Sequence, residues 1–238
     1  MPPAPWEGRA MPQFGDRSPE DCDARSACVE GEIDRARIAR DVSWLAGRRS
    51  VAVKRLGAPG PNSGELEIIL RAALAAPDHG ALRPWRVVRC SQASRARLAD
   101  LFVTGKRERH PDSTEVQLER EREKAMRPPV LLALIASPKR GHDKVPVEEQ
   151  LATAGAAIQS MLIAAHGQGY GAIILSGSRC SDPGVCAALE VGTEETLLGF
   201  LSIGSIVEEP KLAPRPKLQD VAFDFDGDRI VPMTEAGG

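Results

Sequence analysis

Residues 48–50 read Arg-Arg-Ser. Guanidinium forks hold phosphate bidentately and a neighbouring hydroxyl donates one more bond, so the triplet has the chemistry of an anion grip. It equally suits a solvated helix end, where cations complement the macrodipole. His79 lies in Pro77-Asp78-His79-Gly80, a turn that follows a helical run. There an imidazole can donate to a phosphate or a substrate oxygen, or serve simply as a turn residue. Ile174-Leu175-Ser176 closes a strand-like run, with Gly177 and Ser178 next. A strand end this small lets backbone N–H groups approach a planar ligand.

Other chemistries lack their spacing. His110, His142 and His166 form no ligand pattern with His79, so no metal is expected. The five cysteines, Cys22, Cys28, Cys90, Cys180 and Cys186, include no C-x-x-C, and inert thiols are the expectation. No G-x-G-x-x-G follows a strand, and neither a P-loop nor a G-x-S-x-G elbow occurs.

These residues need elements to carry them. Residues 1–30 hold five prolines among scattered charges and show no period, which reads as a disordered tail. A helix is expected over residues 31–46, with Ile33, Ile38, Val42 and Leu45 on one face and Gly47 beyond its end. Residues 56–64 read as loop. Asn62 or Ser63 then caps a helix over residues 65–76, with Leu66, Ile69, Leu70 and Ala73 at helical spacing. Strands are expected at residues 85–90, 130–136, 170–175 and 198–206. Helices fill residues 92–103, capped by Ser91, then 113–126 and 183–189. The longest helical signal, residues 148–169, places Leu151, Ala154, Ile158, Met161, Leu162 and Ala165 on one face. Its remaining positions are mostly small, as in a helix buried on more than one side, at a domain centre or a subunit interface. From Pro210 onward an extended arm is expected. The mixture, without strict βαβ alternation, indicates α+β layers with helices on a mostly antiparallel sheet.

Composition sets the bounds. The chain has 238 residues, 42% hydrophobic and 27% charged, with a net charge of −2. That is an ordinary globular balance with nothing to attract nucleic acid or an anionic membrane. Aromatics at 4% argue against base-stacking surfaces. No apolar run spans a bilayer and no signal-peptide order occurs near the start, so a cytoplasmic address is expected.

The pieces also occur in a familiar order. "RRS", then "LEIILRAALAAPDHGALRPWRVV" at residues 66–88, "KVPVEEQ" at 144–150, "AAHGQGYGA" at 164–172, "SG" at 176–177, "GFLSIGS" at 199–205 and "PRP" at 214–216 resemble the flavin-dependent nitroreductase family. Within it they resemble the YdjA-like subgroup of NAD(P)H nitroreductases. The resemblance covers roughly residues 40–225, and the block from Ala76 to Trp85 is its most specific part.

The resemblance implies a three-layer α+β fold, interlocked as a homodimer, with FMN sites built from both subunits. It implies an FMN-binding domain over residues 31–225 and a C-terminal extension over 226–238. Arg48, Arg49 and Ser50 would hold the FMN phosphate and ribityl chain, and Arg215 would reach the phosphate. His79 would contact FMN, and Ile174, Leu175 and Ser176 would lie along the isoalloxazine. Residues 164–169 match the segment for the nicotinamide cofactor, NADH or NADPH. A hydride would pass through FMN to a small nitroaromatic or quinone-like acceptor, with no protein side chain needed as acid or base. The alternatives are a flavin-binding protein with little turnover and a biosynthetic flavin-dependent dehydrogenase of the same fold. This chain departs from the pattern at Ala75, where the subgroup carries arginine, and at Ile174-Leu175, where it carries Trp-Arg. It also departs at Ala52, where many relatives carry a cation. Reduced flavin gathers negative charge at its pyrimidine edge, and Lys54 and Arg83 are the candidates to replace the missing cations.

Overall fold

The computed structural model describes residues 34–210 and 213–233. They divide into two units, one ending at Ala46 and one beginning at Gly47. Helix α1 (Arg35–Gly47) occupies the first and buries none of its residues. The expected tail and Ile33 lie outside the described residues.

The second unit is built around β3 (Val130–Ala136), buried at every position. Such a strand needs cover on both faces, and the alternation of its side chains distributes them. Val130, Leu132 and Leu134 join one core with Leu66, Ile69, Met161 and Leu201. Leu131, Ala133 and Ile135 join the other with Leu98, Phe102, Val185 and Phe200. The two cores lie on opposite faces of one antiparallel sheet. β2 (Trp85–Arg89) pairs with β3, and β3 with β5 (Thr196–Ile206). β4 (Gly171–Leu175) runs along the other edge of β5, while β1 (Leu56–Gly57) joins the end of β5. Helices α2 (Ser63–Ala72) and α5 (Val147–Gly167) cover the first face. Helices α3 (Gln92–Arg109), α4 (Glu115–Met126) and α6 (Pro183–Ala188) cover the second. This is the expected three-layer α+β arrangement.

Polar groups finish the layers. Asn62 and Glu65 form the reciprocal capping box that starts α2. Buried Arg95 donates to the carbonyls of Cys90, Pro128 and Pro129, fastening the start of α3 to the ends of β2 and β3. The rings of Phe102 and Phe200 meet edge to face, 5.1 Å apart, and join α3 to β5.

Several sequence expectations shift. Leu56 and Gly57 form a strand rather than loop, because the end of β5 offers them a ladder. Helix α3 continues beyond Val103 to Arg109, where Arg109 pairs with the buried Asp182 at 2.7 Å. On α5 the buried face runs through Gln150, Ala154, Ala157, Met161 and Ala165, leaving Leu151 40% exposed. The expected face was set by apolarity, and Gln150 breaks that rule. Its amide is buried because it donates to the carbonyls of Lys139 and Val145 and accepts from Lys139 N. The C-terminal arm is not wholly extended. β6 (Phe223–Phe225) and β7 (Ile230–Pro232) form a hairpin whose turn is held by Asp226.

One ion pair clamps the sheet at the start of β2. Glu195 accepts from Arg86 Nη2 at 2.6 Å, from Gly192 N at 2.9 Å and from the Ser137 hydroxyl. The Arg86 guanidinium, helped by these donors, lowers the Glu195 pKa from 4.5 to about 2. A depressed carboxylate stabilises the fold above its unfolded pKa, and that contribution fades as pH falls toward the folded value. Glu195→Gln should therefore lower Tm by about 2–4 °C at neutral pH, a loss on the order of 1 kcal/mol. Melts recorded from pH 7 downward should show the gap closing between pH 4.5 and about 2. A gap that persists at the acid end would assign the loss to shape rather than charge.

Candidate functional site

Ser50 forms a parallel bridge with Ala172, and Val51 N donates to Ala172 O at 3.0 Å. The Arg-Arg-Ser segment is thereby fixed to the outer edge of β4. Its neighbour comes from far along the chain: Arg215 Nη2 donates to Arg48 O at 2.5 Å, and Arg49 Nη1 donates to the same carbonyl at 3.1 Å. Three guanidinium groups from two distant segments thus share one place. Arg48 and Arg49 are half-buried. Burial first, then the charges of Arg215 and Arg49, lower the Arg48 pKa below its ordinary value. No ion pair to Arg48 occurs among the described residues. Like charges brought together out of water are costly, and a bound anion offsets that cost.

Ile174, Leu175 and Ser176 continue from Ala172 on the same edge. Ser176 lies four residues, about 13 Å, beyond the bridge. Ile174 and Leu175 are half-buried and Ser176 is exposed. Gly177 then turns with φ 96° and ψ −164°, a region open only to glycine, and releases the chain from the sheet. Together the strand edge presents a cationic end and an apolar end.

His79 stands apart from this group. It begins a short 3-10 turn, and its Nδ1 pairs with Glu149 Oε1 at 2.9 Å. Among the described residues it makes no hydrogen bond or ion pair with the arginine cluster. Residues 164–169 end α5 and turn into β4, where Gln168 donates to Glu65 O at 3.2 Å and the Tyr170 hydroxyl to Glu65 Oε2 at 2.9 Å. Lys54 and Arg83 are exposed, and no hydrogen bond or ion pair of their side chains occurs among the described residues.

Three residues of this region carried no assignment from the sequence. Asp78, Glu149 and Thr153 grip the loop that bears His79. Asp78 had a local signal, as an Asx residue in a turn. Glu149 and Thr153 had none, because their partners lie seventy or more residues away. The thiols of Cys90, Cys180 and Cys186 are free, and burial raises the pKa of each, which disfavours the reactive thiolate. Among the described residues no group of three or more His, Cys, Asp or Glu could hold a metal, and no helix is long and apolar enough to cross a membrane.

Known proteins share this sequence and architecture. "Putative NAD(P)H nitroreductase YdjA" of Escherichia coli is 32% identical over 161 residues, 68% of this chain and 85% of that protein. A nitroreductase-like family protein from Bacillus cereus superposes with a TM-score of 0.64 at 19% identity, covering 78% of this chain and 96% of that one. The NADPH:FMN oxidoreductase from Vibrio harveyi, solved with NAD+, gives 0.59 at 18% identity, over 76% and 75% of the two chains. The nitroreductase family model matches residues 45–205, from the end of α1 to the end of β5, and the chain belongs to that family.

Proposed function

We propose that the protein is an FMN-dependent oxidoreductase that takes a hydride from NADH or NADPH and passes it to an electron-poor acceptor, nitroaromatic or quinone-like. The observation that carries this reading is the convergence of Arg48, Arg49 and Arg215 on the edge of β4. Guanidinium forks so arranged suit a phosphate, and family membership names the kind of molecule that bears it. Arg48, Arg49 and Arg215 would grip the phosphate, with Ser50 donating beside them. Ile174 and Leu175 would pack along the ring, and the backbone at Ser176 and Gly177 would face its reactive edge. When bound, FMN supplies the hydride-accepting and hydride-releasing chemistry. The chain's part is to hold its two ends in register, because both lie on one strand.

The site would be completed by a second copy of the chain. That accounts for His79, which meets no member of the cluster within its own chain. Exposed apolar surface supports the pairing. Leu151, Ala152 and Gly155 line the open side of α5. On the hairpin, Phe223, Phe225 and Ile230 are 50%, 73% and 69% exposed on one face. A two-stranded hairpin with such a face is marginal in water without a partner. Sedimentation should return twice the 25.5 kDa chain mass; a 25.5 kDa species carrying a full complement of flavin would remove the two-chain site.

Protein made with riboflavin available should be yellow. Under anaerobic conditions NADH or NADPH should bleach it, and a nitroaromatic should restore the colour. A yellow protein that stays oxidised would instead be a flavin-binding protein without turnover. Arg48→Ala should weaken FMN binding by roughly 1.5–3 kcal/mol, the range for a hydrogen bond to a charged group. Unchanged affinity in an FMN titration of that variant would withdraw the phosphate assignment.

A further inference from the structure

The turn at residues 77–83 is held from within and from without. Asp78 accepts from Leu82 N at 3.1 Å and from Arg83 N at 2.8 Å. This closure leaves Gly80, Ala81 and Arg83 at φ 76°, 50° and 48°. Left-handed backbone at alanine and arginine persists only where surroundings impose it. Those surroundings are the first turns of α5. Thr153 Oγ1 donates to Pro77 O at 2.9 Å, and Glu149 Oε1 meets His79 Nδ1 at 2.9 Å. Glu149 and Thr153 are four residues apart and share one helix face, so they grip neighbouring points of the same turn. Gln150, buried beside them, fixes the start of the helix to residues 139 and 145.

We infer that Glu149 is a positioning residue of the flavin site, acting through His79. The inference rests on the placement of His79 against FMN in the reading above. An ionised carboxylate at Nδ1 keeps the ring proton there and leaves Nε2 as the nitrogen that meets a ligand. The His79 side chain is 57% exposed, so Nε2 is not used up by the fold. Without Glu149 the neutral ring divides between two tautomers and more than one orientation, and binding must select among them. Apparent affinity falls by the fraction that is competent. The fold itself depends little on the pair, because exposed ion pairs contribute little stability.

The test uses the full chain, with histidine nitrogen spectra to read the tautomer and FMN titrations of flavin-stripped protein to read affinity. Wild type should show His79 protonated at Nδ1. Glu149→Leu should lose that signature while melting at the wild-type temperature, and Glu149→Gln, whose amide oxygen still accepts, should retain it. The FMN dissociation constant should rise about threefold to tenfold in Glu149→Leu. It should be the same in His79→Ala as in the double variant, since one residue acts through the other. A wild-type ring protonated at Nε2, or losses that add in the double variant, would overturn the inference and leave the flavin reading standing. Unchanged affinity in His79→Ala would remove His79 from the flavin, and the inference would fall with that placement.

Discussion

Three arginines brought together at one strand edge impose an electrostatic demand on this fold. Folding places Arg48 among buried surroundings with Arg215 and Arg49 beside it, and all three influences disfavour its charge. A guanidinium does not escape by losing its proton. Binding an anion beside Arg48 would therefore relieve repulsion as well as form hydrogen bonds. A doubly charged phosphate would satisfy several such forks at once, where a carboxylate would satisfy fewer.

The sheet turns that demand into a site. Ser50 is locked to Ala172, and the apolar positions Ile174 and Leu175 continue along the same edge of β4. Distance between the cationic and apolar ends is thus set by the strand repeat, one of the least compliant lengths in a protein. β4 is in turn held along β5, whose buried middle pairs with β3 on the opposite edge. Packing that appears remote from any ligand fixes where the ends of the cofactor would lie.

Much of this was legible in the sequence, because local rules govern it. β3 announces itself as seven apolar residues, and Asn62 and Ser91 cap helices as their types require. The Arg-Arg-Ser segment and the strand end at Ser176 could be picked out by type. What could not be read was which distant groups would meet. Arg215 reaches Arg48 across 167 positions, a meeting that only the family resemblance implied, and Glu149 reaches His79 across 70 with no such guide. Gln150 misled the assignment of the buried face of α5 for the same reason: its partners lie in a loop whose path depends on the whole fold. The hairpin at residues 223–232 was missed because short strands with polar alternates resemble an arm unless their pairing is known.

The proposed phosphate ligands Arg48, Arg49 and Arg215 are all present, whereas the resemblance implies cations where this chain has Ala52, Ala75 and Leu175. Phosphate contacts act equally on oxidised and reduced flavin, so they set retention without favouring either state. Cations near the ring favour the reduced anion and raise the tendency to accept a hydride. A chain that kept the first kind and lost the second would hold flavin firmly and reduce it less readily. On the proposed placement, retention would be set beside the bridge at Ala172, and redox tuning by whatever charge reaches the ring along Ile174 and Leu175.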